Sequence, residues 1–194
     1  DFNLGAVKSA AKFLDRDTDD YFQVRRKHGI VIDSIMKPAL IRTVFFRLTR
    51  LLGSESTLTN ARGESLYIPA MDHLRLILDS ANDNKNGYLK VYEYVPGANL
   101  VINGRSEQRL TIRYKYVSIA GRKREYKKTI TLDKSGRART ILPYSSDRPD
   151  LGHTSLYSLA GEGIAEQTVF ISEKDVMTRG EIRIDLDPPG LMKS

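Results

Sequence analysis

The sequence contains no cysteine, which excludes disulfides, thiolate metal sites and cysteine nucleophiles and leaves the redox compartment unmarked. Histidine is scarce: His28, His73 and His153 are the three present. None sits at a close ligand spacing to another, so a zinc site built from sequence neighbours is unsupported. Nor is there an uninterrupted apolar run of about 18 residues, the length a membrane helix needs. The greasiest stretch, residues 41–52, is broken by Arg42, Thr43, Arg47, Thr49 and Arg50. The start, Asp1-Phe2-Asn3-Leu4-Gly5, shows neither an initiator Met nor the basic-then-apolar run of a signal peptide, and the sequence reads as a piece of a longer protein. Familiar catalytic signatures are missing too: no phosphate loop ending in Lys-Ser/Thr, no nucleophile elbow, no His-Glu-x-x-His. Gly161-Glu162-Gly163 is too short for a dinucleotide fingerprint. A self-contained metabolic enzyme is a poor match to this sequence.

What is present suits a folded domain. The 194 residues suffice for one core with an appendage, and 40% hydrophobic against 28% charged is a globular balance that argues against disorder. A net charge of +7 favours an anionic partner, whether nucleic acid, a lipid surface or a phosphorylated carrier, without choosing among them. The most basic run, Arg122-Lys123-Arg124 then Lys127-Lys128, falls where a hairpin turn is expected and reads more economically as a solvated turn than as a nucleic-acid patch. Asp15, Asp17, Asp19 and Asp20 read as an interhelical cap, since Asp and Thr satisfy free N–H groups at a helix start. Asp185 and Asp187 share a strand face but lack the dense oxygen spacing of a calcium loop.

Periodicity divides the chain. Residues 6–14 carry Val7, Ala10, Ala11 and Leu14 at helical spacing, and a second helix is expected from the Asp17–Asp20 caps to about Lys27, ended by Gly29. Ile30-Val31-Ile32 is a short β-branched run entering a turn at Asp33-Ser34. Over residues 36–52, Ile41, Val44, Phe45, Leu48, Leu51 and Leu52 follow the pattern of an amphipathic helix closed by Gly53, and residues 71–80 suggest a shorter one. After the turn-rich residues 82–87 the period falls to two, with strands expected at 88–95, 100–103, 110–119, 127–132, 138–142, 168–172 and 181–186. The expected fold class is therefore α+β, a helix-rich core over residues 1–82 followed by an antiparallel, barrel-like β module over residues 83–194. The strand tyrosines, Tyr88, Tyr92, Tyr94, Tyr114, Tyr116 and Tyr126, alternate as packing residues do rather than as a sugar platform.

One segment invites a binding role. If a helix begins near Asp33, then Asp33, Lys37 and Ile41, spaced by four, stack a carboxylate, an ammonium and a branched apolar tip on one face. Such a column fits a small polar, methylated side chain. The structural alternative makes Asp33 a cap, Lys37 a solvated charge and Ile41 part of the core stripe.

Here the residues resemble a family. Residues 33–41 are similar to the DK motif of archaeal and eukaryotic oligosaccharyltransferase catalytic subunits, Asp-x-x-Lys-x-x-x-Met/Ile, with one extra residue between Asp33 and Lys37 while Lys37-x-x-x-Ile41 fits. Arg75-Leu76 followed by Ser80, and then Leu89-Lys-Val-Tyr-Glu-Tyr-Val-Pro-Gly-Ala98, resemble the family's helix ending in RLxxxS and its strand VKVFEYVxGA. Asp133-Lys-Ser-Gly136 with Ile141-Leu-Pro-Tyr-Ser145 looks like a later archaeal strand, and Ala11-Lys-Phe-Leu14 before an acidic turn is similar to the stretch after the Trp-Trp-Asp-Tyr-Gly motif. That motif itself is absent, for the chain has no Trp. The likeness runs through about three quarters of the chain, each motif loose but the order right.

The resemblance, to the C-terminal globular domain of the archaeal AglB-type catalytic subunit, implies an extracytoplasmic soluble domain of an integral membrane protein at the cell membrane's outer face. In such an enzyme a lipid-linked oligosaccharide is transferred to Asn in Asn-x-Ser/Thr sequons. It implies acceptor sequon recognition by Asp33, Lys37 and Ile41, no catalytic residue or metal ligand in this chain, and no cofactor here. Catalytic acids and a divalent metal, Mn or Mg, are expected in the transmembrane part. The implied partners are the acceptor polypeptide, the lipid-linked oligosaccharide through the full-length enzyme and the protein's own transmembrane domain, with no nucleic acid. The piece alone is expected to be inactive. A Thr side chain offers one hydroxyl and one methyl, and each contact that reads them contributes about 1 kcal/mol. Rival readings are an extracellular carbohydrate- or protein-binding module without a transferase role and an OB-like nucleic-acid binder suggested by interleaved Tyr and Lys.

Overall fold

Strand dominates the molecule. The computed structural model describes residues 22–27, 30–36, 44–59, 63–81 and 88–186. In chain order these form β1 (Phe22–Lys27), β2 (Ile30–Met36), α1 (Val44–Thr49), β3 (Ser56–Thr59), β4 (Ser65–Ile68), β5 (Leu74–Ala81) and β6 (Tyr88–Tyr94). There follow β7 (Ala98–Asn103), β8 (Arg109–Val117), β9 (Lys123–Thr131), β10 (Arg137–Leu142), a 3-10 turn (Pro149–Leu151), β11 (Tyr157–Gly161), β12 (Gln167–Val169), α2 (Glu173–Thr178) and β13 (Glu181–Asp185).

This overturns the α+β expectation of a helix-rich core before a barrel-like β module. Among the described residues the two α-helices have six residues each. Residues 22–27 and 74–80, expected to be helical, are strands, and of the long helix expected over 36–52 the described part is helical only from Val44 to Thr49, with Met36 in β2. The second half is no closed barrel. One sheet runs β12-β11-β8-β9 and another β10-β7-β13, each with two open edges, and β13 pairs with β7 in parallel. Nothing of the acidic cap at Asp15–Asp20 or the first expected helix falls within the described residues.

The misreading of β5 has a physical cause. A helix of that length and a strand buried on both faces show the same dense apolar run. Leu76 lies at 1% exposure and its neighbours Arg75 and Asp79 at 0%, so both faces are covered. The register of β5 on β6 shifts between Leu76 and Leu78, which spoils a strict alternation. β1 pairs with β2 from Phe22↔Met36 to Lys27↔Ile30, with a shift of register between Arg25 and Arg26.

All seven strands expected after residue 87 are present. β8 shows the clearest pattern: Leu110, Ile112, Tyr114 and Tyr116 are buried while Arg109, Arg113, Lys115 and Val117 are exposed. With Leu100 and Ile102 of β7, Leu142 of β10 and Tyr157 and Leu159 of β11 they make one apolar core. Each fully buried aliphatic side chain contributes roughly 1.5–3 kcal/mol. The turn expected at Asp133–Gly136 is built as its residues suggest: an Asp133 Oδ1 accepts from Ser135 N at 2.8 Å, and Gly136 takes φ +74. Any Cβ at Gly136 would strike the Gly104 carbonyl.

By its internal contacts the chain divides into two compact units, Asp1–Leu51 with Leu58–Leu66, and Leu52–Thr57 with Tyr67–Ser194. Among the described residues no helix is long and apolar enough to cross a membrane.

Candidate functional site

Of the three residues singled out for acceptor recognition, Asp33 lies in β2, with Arg25 as its Cα partner across the ladder. A strand sends successive side chains to opposite faces, so Asp33 opens no helical column. Lys37 and Ile41 lie outside the described residues. Asp185 accepts a hydrogen bond from Asn103 Nδ2 at 2.6 Å, and Asp187 is outside the described residues. Among the described residues no three His, Asp or Glu side chains gather in a way that could hold a metal ion.

The structure gathers a different set of polar side chains, within the larger unit. Arg75 of β5 is fully buried and donates from Nε to Glu93 Oε2 at 2.9 Å, and from its two terminal nitrogens to the Glu173 carboxylate at 2.6 and 2.7 Å. The same carboxylate accepts from Arg148 Nη1 at 2.6 Å, and Arg148 forks in turn onto Asp150 at 2.8 and 2.7 Å. Glu173 is presented by the first turn of α2, whose start is fixed by a capping box: Asp175 N donates to Ser172 Oγ, and the Asp175 carboxylate accepts from Ser172 N. The Glu173 backbone N–H adds a bond to Asp147 Oδ1 at 2.7 Å. Planar forks facing carboxylates are the strong form of the ion pair.

The electrostatics follow from that geometry. Burial pushes the Glu173 carboxyl up, but the Arg75 hydrogen bonds and the charges of Arg75 and Arg148 outweigh it and hold the group at about 2. Burial lowers the Arg75 guanidinium, and its bonds to Glu173 and Glu93 raise it above the ordinary value. A fully buried carboxylate, Asp79 of β5, meets Arg124 Nε at 2.9 Å and Arg122 Nη1 at 3.8 Å. Two arginines of the basic run are therefore tied to a buried partner rather than left as a solvated turn, and the sequence gives no local sign of it.

Behind the ion network lies a tyrosine cluster. Tyr114, Tyr116, Tyr126, Tyr144 and Tyr157 are at most 3% exposed, which supports the packing role expected for Tyr114, Tyr116 and Tyr126. Tyr94 departs from it at 71% exposed. Their hydroxyls satisfy backbone groups that no ladder serves: Tyr114 Oη donates to the Ser145 carbonyl at 2.7 Å, Tyr157 Oη to the Tyr144 carbonyl at 3.0 Å, and Tyr144 Oη accepts from Leu76 N at 3.1 Å beside the β5 bulge. Burial raises the pKa of all five phenols. His153 stands edge-on to Tyr144 and Tyr116, ring centroids 5.0 and 5.3 Å away. Burial first, and then the Arg75 charge, lowers it to about 4, so the ring is neutral at physiological pH. Arg75 and the five tyrosines face inward, whereas Glu93, Arg148 and Asp150 carry the network out to solvent.

Residues 97–182, all within the larger unit, match the family model described as archaeal glycosylation protein B long peripheral domain. The chain is similar in structure to the archaeal oligosaccharyltransferase AglB from Archaeoglobus fulgidus in complex with an inhibitory peptide and a dolichol-phosphate, at 15% identity and a TM-score of 0.62, over 86% of this chain and 26% of that one. It is similar also to the Archaeoglobus fulgidus oligosaccharyltransferase tethered through a disulfide bond to an acceptor peptide containing the NVT sequon, at 16% identity and a TM-score of 0.60, over 86% of this chain and 27% of that one. At such identities the likeness is one of fold, and the chain spans about a quarter of the length of those structures. No curated protein matches the chain in sequence. The chain resembles the AglB peripheral domain in its family match over residues 97–182 and in its fold.

Proposed function

We propose that this chain is the soluble, extracytoplasmic C-terminal domain of an oligosaccharyltransferase, standing at the outer face of the cell membrane and contributing to recognition of Asn-x-Ser/Thr acceptors. The observation that carries the reading is the family match over residues 97–182 together with a fold likeness to AglB over 86% of the chain. The buried, compensated ion network agrees with a supporting role, because it builds a rigid body and leaves the reaction to other parts of the enzyme. Within this reading the catalytic acids and a divalent Mn or Mg ion belong to the transmembrane part, and no step of the transfer is assigned to residues of this chain. Partners follow from the same reading: the acceptor polypeptide, the protein's own membrane domain and, through the whole enzyme, the lipid-linked oligosaccharide.

The test has two arms. A full-length enzyme carrying this domain should glycosylate an Asn-x-Thr peptide from a lipid-linked donor, whereas the 194-residue chain alone should not. Turnover by the isolated chain, or a full-length protein that binds glycan or peptide without ever transferring, sinks the assignment.

A further inference from the structure

The hairpin of β8 and β9 separates its side chains by chemistry. Inward go Tyr114, Tyr116 and Tyr126, at 0%, 3% and 0% exposure. Outward, on one face, the register sets Arg113 against Lys127, Lys115 against Glu125 and Val117 against Lys123. Arg113, Lys115 and Lys123 are exposed, and Lys127 keeps 44% of its side chain in solvent. Three exposed cations, Arg113, Lys115 and Lys123, thus share this face with Glu125, while Lys127 approaches the Glu55 carboxylate at 4.0 Å. At the end of the hairpin, Ser118 N bonds the Arg122 carbonyl at 2.8 Å and Gly121, at φ +74, closes the turn. Two aliphatic side chains are left in water there, Ile119 at 54% and Val117 at 45%. Arg122 and Arg124 turn to the buried Asp79 and hold the tip from the other side.

We propose that this hairpin docks on an anionic lipid surface, Ile119 and Val117 entering the headgroup layer while Lys115, Lys123 and Arg113 meet lipid phosphates. An apolar tip collared by cations on flexible stems suits the boundary of a bilayer, where the aliphatic part leaves water and the ammonium groups stay at the phosphates. A single-stranded nucleic acid is the less suitable occupant. Such ligands need aromatic rings on the basic face for base stacking, and every tyrosine of β8 and β9 points into the core. The inference does not rest on the transferase reading, since it is read with vesicles alone, in the absence of donor and acceptor.

The experiment is sedimentation of the 194-residue chain with vesicles of equal parts phosphatidylglycerol and phosphatidylcholine, beside vesicles of phosphatidylcholine only. The chain should partition to the anionic vesicles and weaken steeply with added salt. Lys115→Gln with Lys123→Gln should reduce that partition roughly twenty-five-fold, about fivefold for each charge lost near the surface. Ile119→Ser should reduce it roughly tenfold. All three positions are exposed, and an unchanged melting temperature shows that the variants remain folded. Failure of the parent chain to bind anionic vesicles, equal binding to neutral ones, or wild-type partition by either variant overturns the proposal. So does retention of single-stranded RNA without vesicle binding, which assigns the face to nucleic acid.

Discussion

Arg75 and Glu173, 98 residues apart in the chain, meet through two parallel hydrogen bonds with the guanidinium wholly excluded from solvent. The pair joins β5 to α2, and Arg148 and Glu93 extend it to either side. A buried ion pair is weak evidence for stability in itself, because desolvation offsets much of the attraction, but removing one partner strands the other. Arg75→Leu should therefore destabilise the larger unit by about 3–5 kcal/mol in denaturant melts. Glu93→Gln, at a half-exposed carboxylate, should change stability by less than about 1 kcal/mol. Equal losses from the two would mean that burial does not set the strength of this network.

The same site sets a pH dependence in two windows. Glu173 is held at about 2 against an ordinary 4.5, so the unfolded chain binds the proton more readily between those values. Its stabilising contribution is complete above about 4.5 and is lost as the pH falls toward 2. His153 is lowered from 6.5 to about 4, so here too the unfolded state takes up the proton first, and stability falls as the pH drops from 6.5 to 4. Melting temperature followed from pH 7 downward should decline in both intervals. His153→Phe, which keeps a ring among the tyrosines, should flatten the upper interval and leave the lower, whereas Glu173→Gln should flatten the lower. An unchanged upper slope in His153→Phe places that titration on another group.

Tyr144 offers a test of why this core uses tyrosine instead of phenylalanine. Its hydroxyl takes the Leu76 N–H at 3.1 Å and contacts the Tyr116 hydroxyl at 3.3 Å, at a point where the strand register shifts. Tyr144→Phe keeps the ring and orphans a buried donor, which costs about 1–3 kcal/mol. Rapid amide exchange at Leu76 in the variant, against protection in the parent chain, is the specific readout. Protection that survives the substitution would show that another acceptor serves Leu76.

The strands of the second half are most legible where one face turns to the core and one to water, as in Leu110 to Val117. β11 was missed. Tyr157-Ser-Leu-Ala-Gly161 has only two large apolar residues, Tyr157 and Leu159, with which to announce an alternation, and β8 on one side and β12 on the other complete the strand. In β5 burial of both faces hid the period of two, and its charges Arg75 and Asp79 find their partners in α2, β6 and β9, far along the chain. No local pattern announces such pairs. The start of α2 did leave a local sign, Ser172 three residues before Asp175, the spacing of a capping box with aspartate as its acid.

Lys37 and Ile41 carry the remaining prediction, which concerns the whole enzyme. Asp33 lies on a strand, so no helical column of three forms, and the test turns on an ammonium and a branched apolar tip four residues apart. If these read the hydroxyl and the methyl of an acceptor Thr, Lys37→Ala or Ile41→Ala in the full-length protein should lower glycosylation of Asn-x-Thr peptides while the melting temperature of the domain stays put. A lost contact of about 1–2 kcal/mol corresponds to roughly a five- to thirty-fold loss in affinity. An Asn-x-Ser peptide, which lacks the methyl, should be less sensitive to Ile41→Ala than to Lys37→Ala. The core alternative forecasts the reverse: Ile41→Ala lowers stability by about 2–5 kcal/mol, and Lys37→Ala does almost nothing. Full activity in Lys37→Ala together with a lowered melting temperature in Ile41→Ala would remove both residues from the acceptor site.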